Sequence, residues 1–577
     1  MSGCSYDCSQ HPTSVDTDND ITGIGVIIGY VATAGIVVFV IVAYYLLAFQ
    51  PRLDPFRHNS LHPRLATRAR PNPVDEILLR DLRRGFHKVI RTNPAGLEVQ
   101  DWVEKGLIKC ILSMSDIQII TGVSILVSGA AQLQCGLPTY QWQILVYLAW
   151  FSSLTHLSSL TILRNYLYNR PAERGWRLFS MLLLVILLIF AFLPTGNYRW
   201  MFGYGWMNTG LPKMEDAAIC YLKPVSLPNP VSPLSNYGPS FTEQAMISMS
   251  ISILLLAVGF LMRLFKLHKS ISHYVDESIR GQLSHLLRTA LRKYHDLFDF
   301  RNSPRSLQRT LFYRPVLALF LTARIGLDLW SSMFFEVWWL CVSFIWGVER
   351  LLYTLNLYPD KENSQWTFGQ VMSVALLAIP LVTMVELFYP GSKGHKQDGS
   401  DDDSTPETEL EDFSNPLPAP VGHHAAHRAS IYRHEVVDHP DWELYYTSGS
   451  LTLPVWTAVG SIITVCIFFM VDAATGIAST GILSISFSPW GQVPLLVIFS
   501  TSMSVLFSFV ISRIGSGSTA YQHGKKWIAR GFQFIVFFYL AVLPLVGWPY
   551  LFKFDYLAIC VAIGVYLFCA IIYLISG

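Results

Sequence analysis

Hydrophobic residues in this chain are gathered into long stretches, and polar residues are confined to the segments between them. An α-helix needs about 20 apolar residues to cross the hydrocarbon core of a bilayer. Stretches of that kind lie near residues 22–48, 107–134, 139–163, 176–196, 244–266, 332–357, 366–390, 451–474, 487–513, 530–549 and 552–576. The pattern predicts an all-α protein: a polytopic membrane helical bundle whose partner is the lipid bilayer of the plasma membrane or an endomembrane.

The composition agrees with a membrane protein and excludes two classes of partner. Charged residues make up 14% of the chain and hydrophobic residues 52%, whereas soluble domains carry about 25% charged residues. The net charge of +2 excludes a strongly basic nucleic-acid binder. A glycine-rich stretch before Lys525 departs twice from the Walker A pattern, at Thr519 and at Lys526. We therefore expect no nucleic-acid partner and no nucleotide site.

Basic residues between the spans predict the orientation of the chain. They are concentrated in residues 52–91, 164–177 and 263–314, the last of which contains eleven. The alternate loops are poor in them, with none in 133–141 and three in 197–243. Short loops rich in Lys and Arg stay in the cytoplasm. The N-terminus is therefore predicted to lie outside, and the first stretch is a retained span rather than a cleaved signal, since acidic residues precede it.

Cysteine positions give an independent indication of the same orientation. Four cysteines lie outside the apolar stretches, namely Cys4, Cys8, Cys135 and Cys220. All four fall in segments that the charge pattern assigns to the outside. Disulfides persist in oxidising compartments, so these four are candidate disulfide cysteines. Their connectivity stays open.

Residues 313–357 decide the number of spans. Two complete spans here would invert the orientation of every later loop and place Lys525 and Lys526 outside. A single straight helix of 45 residues would measure roughly 68 Å, too long to cross once. We therefore predict an interfacial or re-entrant helix over 313–330 that leads into one span over 332–357. The prediction is about eleven spans with the C-terminus inside, and twelve is the alternative.

The soluble segments complete the predicted organisation. Residues 1–21 form a short extracytoplasmic N-terminus. Residues 22–390 form an N-terminal membrane bundle with cytoplasmic amphipathic segments at 74–106 and 267–312, which either lie on the anionic inner leaflet or pack on the ends of the bundle. Residues 391–450 are acidic and too poor in apolar residues to fold, so they form a largely disordered loop. Residues 451–577 form a C-terminal membrane bundle.

Histidines in the acidic loop raise the question of a metal. They are His423, His424, His427, His434 and His439. One short histidine box is too little for a di-iron centre, and solvated loop histidines are the simpler interpretation. We expect no metal and no cofactor.

Ionisable residues inside apolar spans are costly and are functional candidates by default. A candidate buried polar pathway consists of Asp116, His156, Arg324, Asp328 and Glu336. We predict a contact between Asp116 and His156 that serves as a proton relay or substrate anchor, or that simply locks two helices together. Arg324 and Asp328 are four residues apart and can pair. Glu349 lies towards a span end and is expected at the interface. No residue is assigned a catalytic role.

Several segments resemble a large group of uncharacterised multipass membrane proteins of filamentous fungi. They are Asp20–Val26, Ser115–Leu126, Trp142–Trp150 with Ser153–His156, and Trp366–Gln370. Some members of that group are apparently encoded beside secondary-metabolite genes. The resemblance covers most of residues 20–390 and implies no established activity and no catalytic residues.

These observations favour a non-enzymatic membrane protein, a transporter or accessory protein whose ligand is a small lipophilic compound. One alternative is a membrane-embedded enzyme that acts on a lipid or terpenoid with His156 and Asp116 as acid and base. Another is a sensor or scaffold that signals through the acidic loop and the amphipathic segments.

Overall fold

The computed structural model of the protein describes residues 6–8, 19–51, 72–89, 96–198, 200, 214–222, 241–268, 289, 325–357, 366–378, 382, 455–456, 459–460 and 463. The acidic loop 391–450 and nearly all of the segment 451–577 lie outside these residues. The total of eleven spans and the C-terminal bundle therefore stay predictions.

The described chain is helical, with one isolated antiparallel bridge between Pro138 and Ala217. Its α-helices are α1 (Asn19–Thr22), α2 (Ile24–Leu47), α3 (Pro73–Val89), α4 (Gly96–Leu133), α5 (Thr139–Ile162), α6 (Arg164–Asn169), α7 (Pro171–Phe192), α8 (Phe241–Leu267), α9 (Ile325–Ser331), α10 (Met333–Leu357) and α11 (Phe368–Leu376). Short 3-10 helices cover Leu193–Asn197 and Ala218–Tyr221.

Five of these helices are long and apolar enough to cross a membrane. The crossing segments are Ile24–Leu47, Gly106–Leu133, Thr139–Ile162, Pro171–Asn197 and Ser248–Leu267, and each coincides with a predicted span. A sixth candidate is the pair α9 and α10, bent by 66° at Ser332. The described part therefore shows the predicted break between two helices near residue 331, while the assignment of one span here stays a prediction and residues 313–324 lie outside the described residues.

Helix α5 is the centre of the bundle. All 24 of its residues are buried, and α2, α4, α7, α8 and α10 pack around it. Helix α5 contains no Asp, Glu, Lys or Arg and has no single polar face, which suits such a central position. By contrast, α7 buries one face through Met181 and Leu184 and leaves Phe179 and Phe190 exposed on the other. The sequence of α7 therefore suits a position at the lipid-facing surface.

Helices α2 and α11 approach each other closely through small residues. Gly25 and Gly29 are four residues apart on α2, and a Cβ atom on them would lie 2.7 Å and 2.9 Å from the Cβ atoms of Gln370 and Ser373 on α11. The spacing is that of the Gly-x-x-x-Gly packing motif. The Gly25 amide also donates a hydrogen bond to the side-chain oxygen of Gln370, at 3.3 Å. Two of the segments that carry the fungal resemblance therefore meet here.

One end of the bundle carries the cysteines. Cys8 and Cys220 form a disulfide bond with Sγ atoms 2.00 Å apart, and Cys135 is also disulfide-bonded. Gly136 adopts a φ of +89°, which favours glycine, and the ring of Tyr6 packs against it. We call this the disulfide end. Three of the four candidate disulfide cysteines are thus in disulfides, while Cys4 lies outside the described residues.

The opposite end, where α5 and α8 finish and α10 begins, carries Arg164, Lys266 and Arg83, and we call it the basic end. Helix α3 joins two spans here. The Asp75 carboxylate accepts hydrogen bonds from the first amides of α10, Met333 (2.8 Å) and Phe334 (3.0 Å). The Arg83 guanidinium donates to the main-chain oxygens of Leu46, at the end of α2, and of Phe49, just after it. Burial raises the pKa of the Asp75 carboxyl, and these amide donors oppose the rise.

Helix α3 covers part of segment 74–106, which was predicted either to lie on the inner leaflet or to pack on the end of the bundle. Val74, Leu78 and Leu79 are buried against the bundle. Helix ends leave unsatisfied amides and carbonyls, and α3 supplies side-chain partners for two of them. The helix therefore packs on the end of the bundle as a structural element. Of segment 267–312, only residues 267, 268 and 289 are described.

Candidate functional site

His156 lies in a closed hydrogen-bond network between α4, α5 and α7. Its Nδ1 atom is 2.8 Å from the Ser115 hydroxyl, which is also 3.0 Å from the Ser159 hydroxyl. Its Nε2 atom is 3.3 Å from the main-chain oxygen of Arg177. A carbonyl oxygen only accepts, so Nε2 carries the proton and Nδ1 accepts from Ser115. Both ring nitrogens are occupied, and the ring is fully buried. The arrangement locks three helices together.

Asp116 pairs with Arg177 and not with His156, so the predicted contact is wrong. Arg177 Nη1 lies 2.7 Å from Asp116 Oδ1, and Nη2 lies 2.9 Å from Oδ2, a two-pronged ion pair. The Arg177 side chain is 6% exposed and that of Asp116 is 45% exposed. Ser115 and Asp116 are adjacent, and successive helical residues point about 100° apart. Ser115 therefore faces α5, while Asp116 points towards the start of α7.

Glu336 is the centre of a buried ionic cluster at the basic end. Its Oε1 atom accepts hydrogen bonds from the Arg164 guanidinium and from Lys266 Nζ, the latter at 2.7 Å. The side chain is 1% exposed. The Arg263 guanidinium is held beside it by Thr161 and by the main-chain oxygen of Gly259. Lys266 also donates to the last carbonyls of α9, so the cluster fixes the bend between α9 and α10.

The proposed polar pathway is not assembled as one channel within the described residues. Asp116 and His156 belong to separate contacts between α4, α5 and α7, and Glu336 belongs to the cluster between α5, α8 and α10. Asp328 is buried on α9, where its main-chain oxygen accepts from Asn72. Arg324 lies outside the described residues, so its pairing with Asp328 stays a prediction.

Glu349, which we expected at the interface, lies inside helix α10, and its position relative to the bilayer stays a prediction. It is about 7 Å along the helix axis from the midpoint of Met333–Asn356, and its side chain is 12% exposed. The neighbouring Arg350 is 1% exposed and lies 3.1 Å from Glu349 Oε2 through its Nε atom. Sequence reasoning considered acidic residues and histidine in the spans and missed this arginine. The available signal in the sequence was an acidic residue next to a basic residue inside an apolar stretch.

A small recess lies between α2, α4 and α11, with a volume of about 50 Å³. Met114, Ile117 and Leu376 form its apolar walls, and its polar lining consists of Tyr30, Thr33, Gln118, Thr121 and Ser373. Because one water needs about 10–15 Å³ by this measure, the recess holds a few waters or the polar end of a larger molecule. None of the five predicted pathway residues lines it.

Gln118 is the residue in this recess whose buried side-chain acceptor has no hydrogen-bond partner among the described residues. The four hydroxyl groups all donate to main-chain oxygens: Tyr30 to Thr121, Thr33 to Gly29, Thr121 to Ile117 and Ser373 to Gly369. The Gln118 Oε1 atom has no hydrogen-bond partner among the described residues, and the residue is 6% exposed. A buried acceptor left unpaired is costly, and because Gln118 lines the recess, a ligand there that carries a hydrogen-bond donor can pair with it.

Gln118 was missed because it carries no charge. Ser115, Gln118 and Thr121 are nevertheless spaced three residues apart on α4, which is a polar stripe along one face of an otherwise apolar span. That spacing was the available signal.

The described part of the chain defines a helical membrane protein with five, or with the bent pair six, helices suited to crossing a bilayer. Within the same residues, no group of three or more His, Cys, Asp or Glu side chains is placed to hold a metal ion, and the histidines of 423–439 lie outside them. No family model, curated protein or solved structure matches the chain. The fungal resemblance stays a prediction.

Proposed function

We propose that this protein transports a small lipophilic compound across its membrane. The observation that carries the proposal is the recess between α2, α4 and α11. Gln118 lies about 2 Å along the axis from the midpoint of Gly106–Leu133, so the recess is close to the middle of the crossing segment. Substrate sites of secondary transporters lie near the bilayer midplane, where helices pack around a polar group.

The lining of the recess suits a lipophilic compound with one hydrogen-bond donor. Apolar side chains form the walls, and the Gln118 Oε1 atom is a buried acceptor that the described residues leave unpaired. Ile117, Thr121, Ser373 and Leu376 are partly exposed on the surface that the described helices form. A compound dissolved in the bilayer therefore reaches the recess from the side. Ligand sites of this kind combine a mostly apolar lining with a few polar groups that orient the ligand.

The enzyme alternative receives less support from the geometry. It requires His156 and Asp116 to act as acid and base. Both ring nitrogens of His156 are instead hydrogen-bonded, to the Ser115 hydroxyl and to the main-chain oxygen of Arg177. The Asp116 carboxylate forms an ion pair with the Arg177 guanidinium. A donor-binding recess without an acid–base pair beside it favours transport over catalysis.

Replacement of Gln118 by leucine tests the proposal. Cells with the wild-type protein, without the protein, and with Q118L are compared by untargeted mass spectrometry of the medium and of cell extracts. We expect the medium-to-cell ratio of at least one lipophilic compound to change when the protein is absent. Q118L should reduce transport of that compound about tenfold, because one buried hydrogen bond of about 1.4 kcal/mol is lost.

Gln143 provides the matched control. It is a buried glutamine on α5 whose Oε1 atom is also without a hydrogen-bond partner among the described residues, yet it does not line the recess. Q143L should leave the ratio unchanged. Equal ratios with and without the protein would contradict transport. A changed set of products would favour an enzyme, and a response only to deletion of 391–450 would favour a sensor.

A further inference from the structure

A second buried carboxylate in the bundle, that of Glu349, differs from Glu336 and Asp75 because none of the described residues donates a hydrogen bond to it. Glu349 lies on α10, deep in the crossing segment Met333–Asn356. Neither of its carboxylate oxygens has a hydrogen-bond partner within the described helices. Among the described residues, the Arg350 Nε atom lies 3.1 Å from Glu349 Oε2. A carboxylate removed from water and left without donors is poorly stabilised in its charged form.

Arg350 has a second partner that does not depend on Glu349. Its guanidinium carbon lies 4.4 Å from the centroid of the Trp346 ring, a cation–π contact. The Trp346 ring is held in place because its Nε1 atom donates to the Ser252 hydroxyl on α8, at 3.0 Å. Arginine stays charged at any physiological pH. The guanidinium therefore remains held at its site when the neighbouring carboxylate loses its charge.

Glu336, on the same helix, has the opposite environment. Two cationic side chains, Arg164 and Lys266, donate hydrogen bonds to its Oε1 atom. Its ionised form is therefore stabilised by charge and by hydrogen bonds together. A proton that binds to Glu336 would remove the negative charge that stabilises both cationic donors, whereas a proton that binds to Glu349 displaces no hydrogen bond from the described residues.

We propose that Glu349 is a proton-binding site in the membrane-spanning bundle. A proton from the aqueous phase bonds to a carboxylate oxygen, which gives a neutral carboxylic acid beside Arg350. The charged and titratable groups of the described residues that interact with this carboxylate are Arg350 and Tyr353 on α10 and Tyr147 on α5. We expect no nucleotide site from the sequence, so the proposed transport needs another source of energy. A site that binds and releases a proton would couple transport to a proton gradient across the membrane. The site itself does not depend on that proposal.

Dicyclohexylcarbodiimide is a direct probe because it reacts with protonated carboxylic acids in apolar surroundings. The acid oxygen bonds to the central carbon of the reagent, its proton moves to nitrogen, and the acyl group then migrates to give a stable N-acylurea. The full-length protein in vesicles of neutral phospholipid is treated from about pH 5 to about pH 9, digested and mapped by mass spectrometry. We expect an adduct on Glu349 whose yield falls about tenfold for each pH unit above its titration midpoint.

Glu336 is the internal control in the same sample. We expect no adduct on Glu336 in the folded protein, and adducts on both residues after unfolding in detergent, which shows that both peptides are detected. Absence of a Glu349 adduct at every pH, or equal labelling of Glu336 and Glu349, would overturn the proposal. The measurement requires no substrate, so its failure would leave the proposed transport untouched.

The role of Trp346 gives a second, independent measurement. Loss of the aromatic face removes one stabilising contact of the Arg350 guanidinium and increases the weight of its ion pair with the Glu349 carboxylate, so W346L should reduce labelling of Glu349 at a fixed pH by about tenfold. W346F keeps an aromatic face and should retain the labelling. W339L is the matched control, because Trp339 is on the same helix and donates to the main-chain oxygen of Leu255. Unchanged labelling in folded W346L would overturn the role assigned to the arginine–aromatic contact.

Discussion

Glu336 and Glu349 are chemically identical, are on the same helix, and have opposite surroundings. At the basic end, Glu336 receives hydrogen bonds from side chains that follow α5 and end α8. Thirteen residues further along α10, Glu349 has one ionic neighbour and no hydrogen bond from the described residues. The difference shows that burial alone does not define the role of a membrane carboxylate. The number of donors decides whether it is a fixed ionic anchor or a group that can change charge.

The largest expected effect is that of E336Q. The substitution keeps the shape of the side chain and removes the charge that neutralises Arg164 and Lys266. Breaking a buried pair in this way leaves uncompensated charges and costs about 3–5 kcal/mol. Unfolding of the purified protein in detergent measures the loss. The control is E173Q, because Glu173 forms a largely exposed pair with Arg170 and its replacement should change stability very little. If E336Q changed the free energy of unfolding very little, the cluster would not be an anchor of the fold.

A smaller loss is expected for D75A, which tests whether the basic end depends on α3. The substitution removes the acceptor for the Met333 and Phe334 amides at the start of α10, three residues before Glu336. Loss of this helix-capping carboxylate should cost about 2–3 kcal/mol in the same unfolding measurement. D81A on the same helix is the control, because Asp81 is partly exposed and pairs with Arg80. Equal effects of D75A and D81A would contradict the capping role.

The smallest expected change in stability is that of E349Q, which directly tests the contrast between Glu349 and Glu336. No hydrogen bond to the carboxylate is lost, and Arg350 keeps its contact with Trp346. We expect a stability change within about 1 kcal/mol, well below that of E336Q. A loss as large as that of E336Q would mean that both carboxylates are anchors, and the contrast between the two sites would disappear.

Much of the architecture was predictable because hydropathy is a sum over about 20 neighbouring residues and needs no knowledge of partners. The segment Thr139–Ile162 and the change of helix near Ser332 were both anticipated in this way. The membership of Cys8, Cys135 and Cys220 in disulfides was also predicted, from their position outside the apolar stretches. The pairing of Cys8 with Cys220 across 212 residues was not, because four cysteines allow several pairings.

The sequence identified several residues of the candidate sites but not the residues that contact them. Asp116 and His156 were correctly singled out as buried or half-buried polar residues, yet Ser115 and Arg177 are their actual partners. Gln118 escaped notice because an uncharged amide barely lowers the hydropathy of a span. Glu349 was expected at the membrane interface because only its distance along the sequence from the span end was considered. The contacts of α10 were not available from the sequence.

The chain by itself thus determined where the crossing helices lie, which loops are basic and which segments carry the cysteines. Those properties depend on transfer free energies that each segment has on its own. Tertiary structure decided which face of each helix meets which neighbour, since adjacent residues point about 100° apart. That rotation placed three cationic side chains around Glu336 and left Glu349 with one.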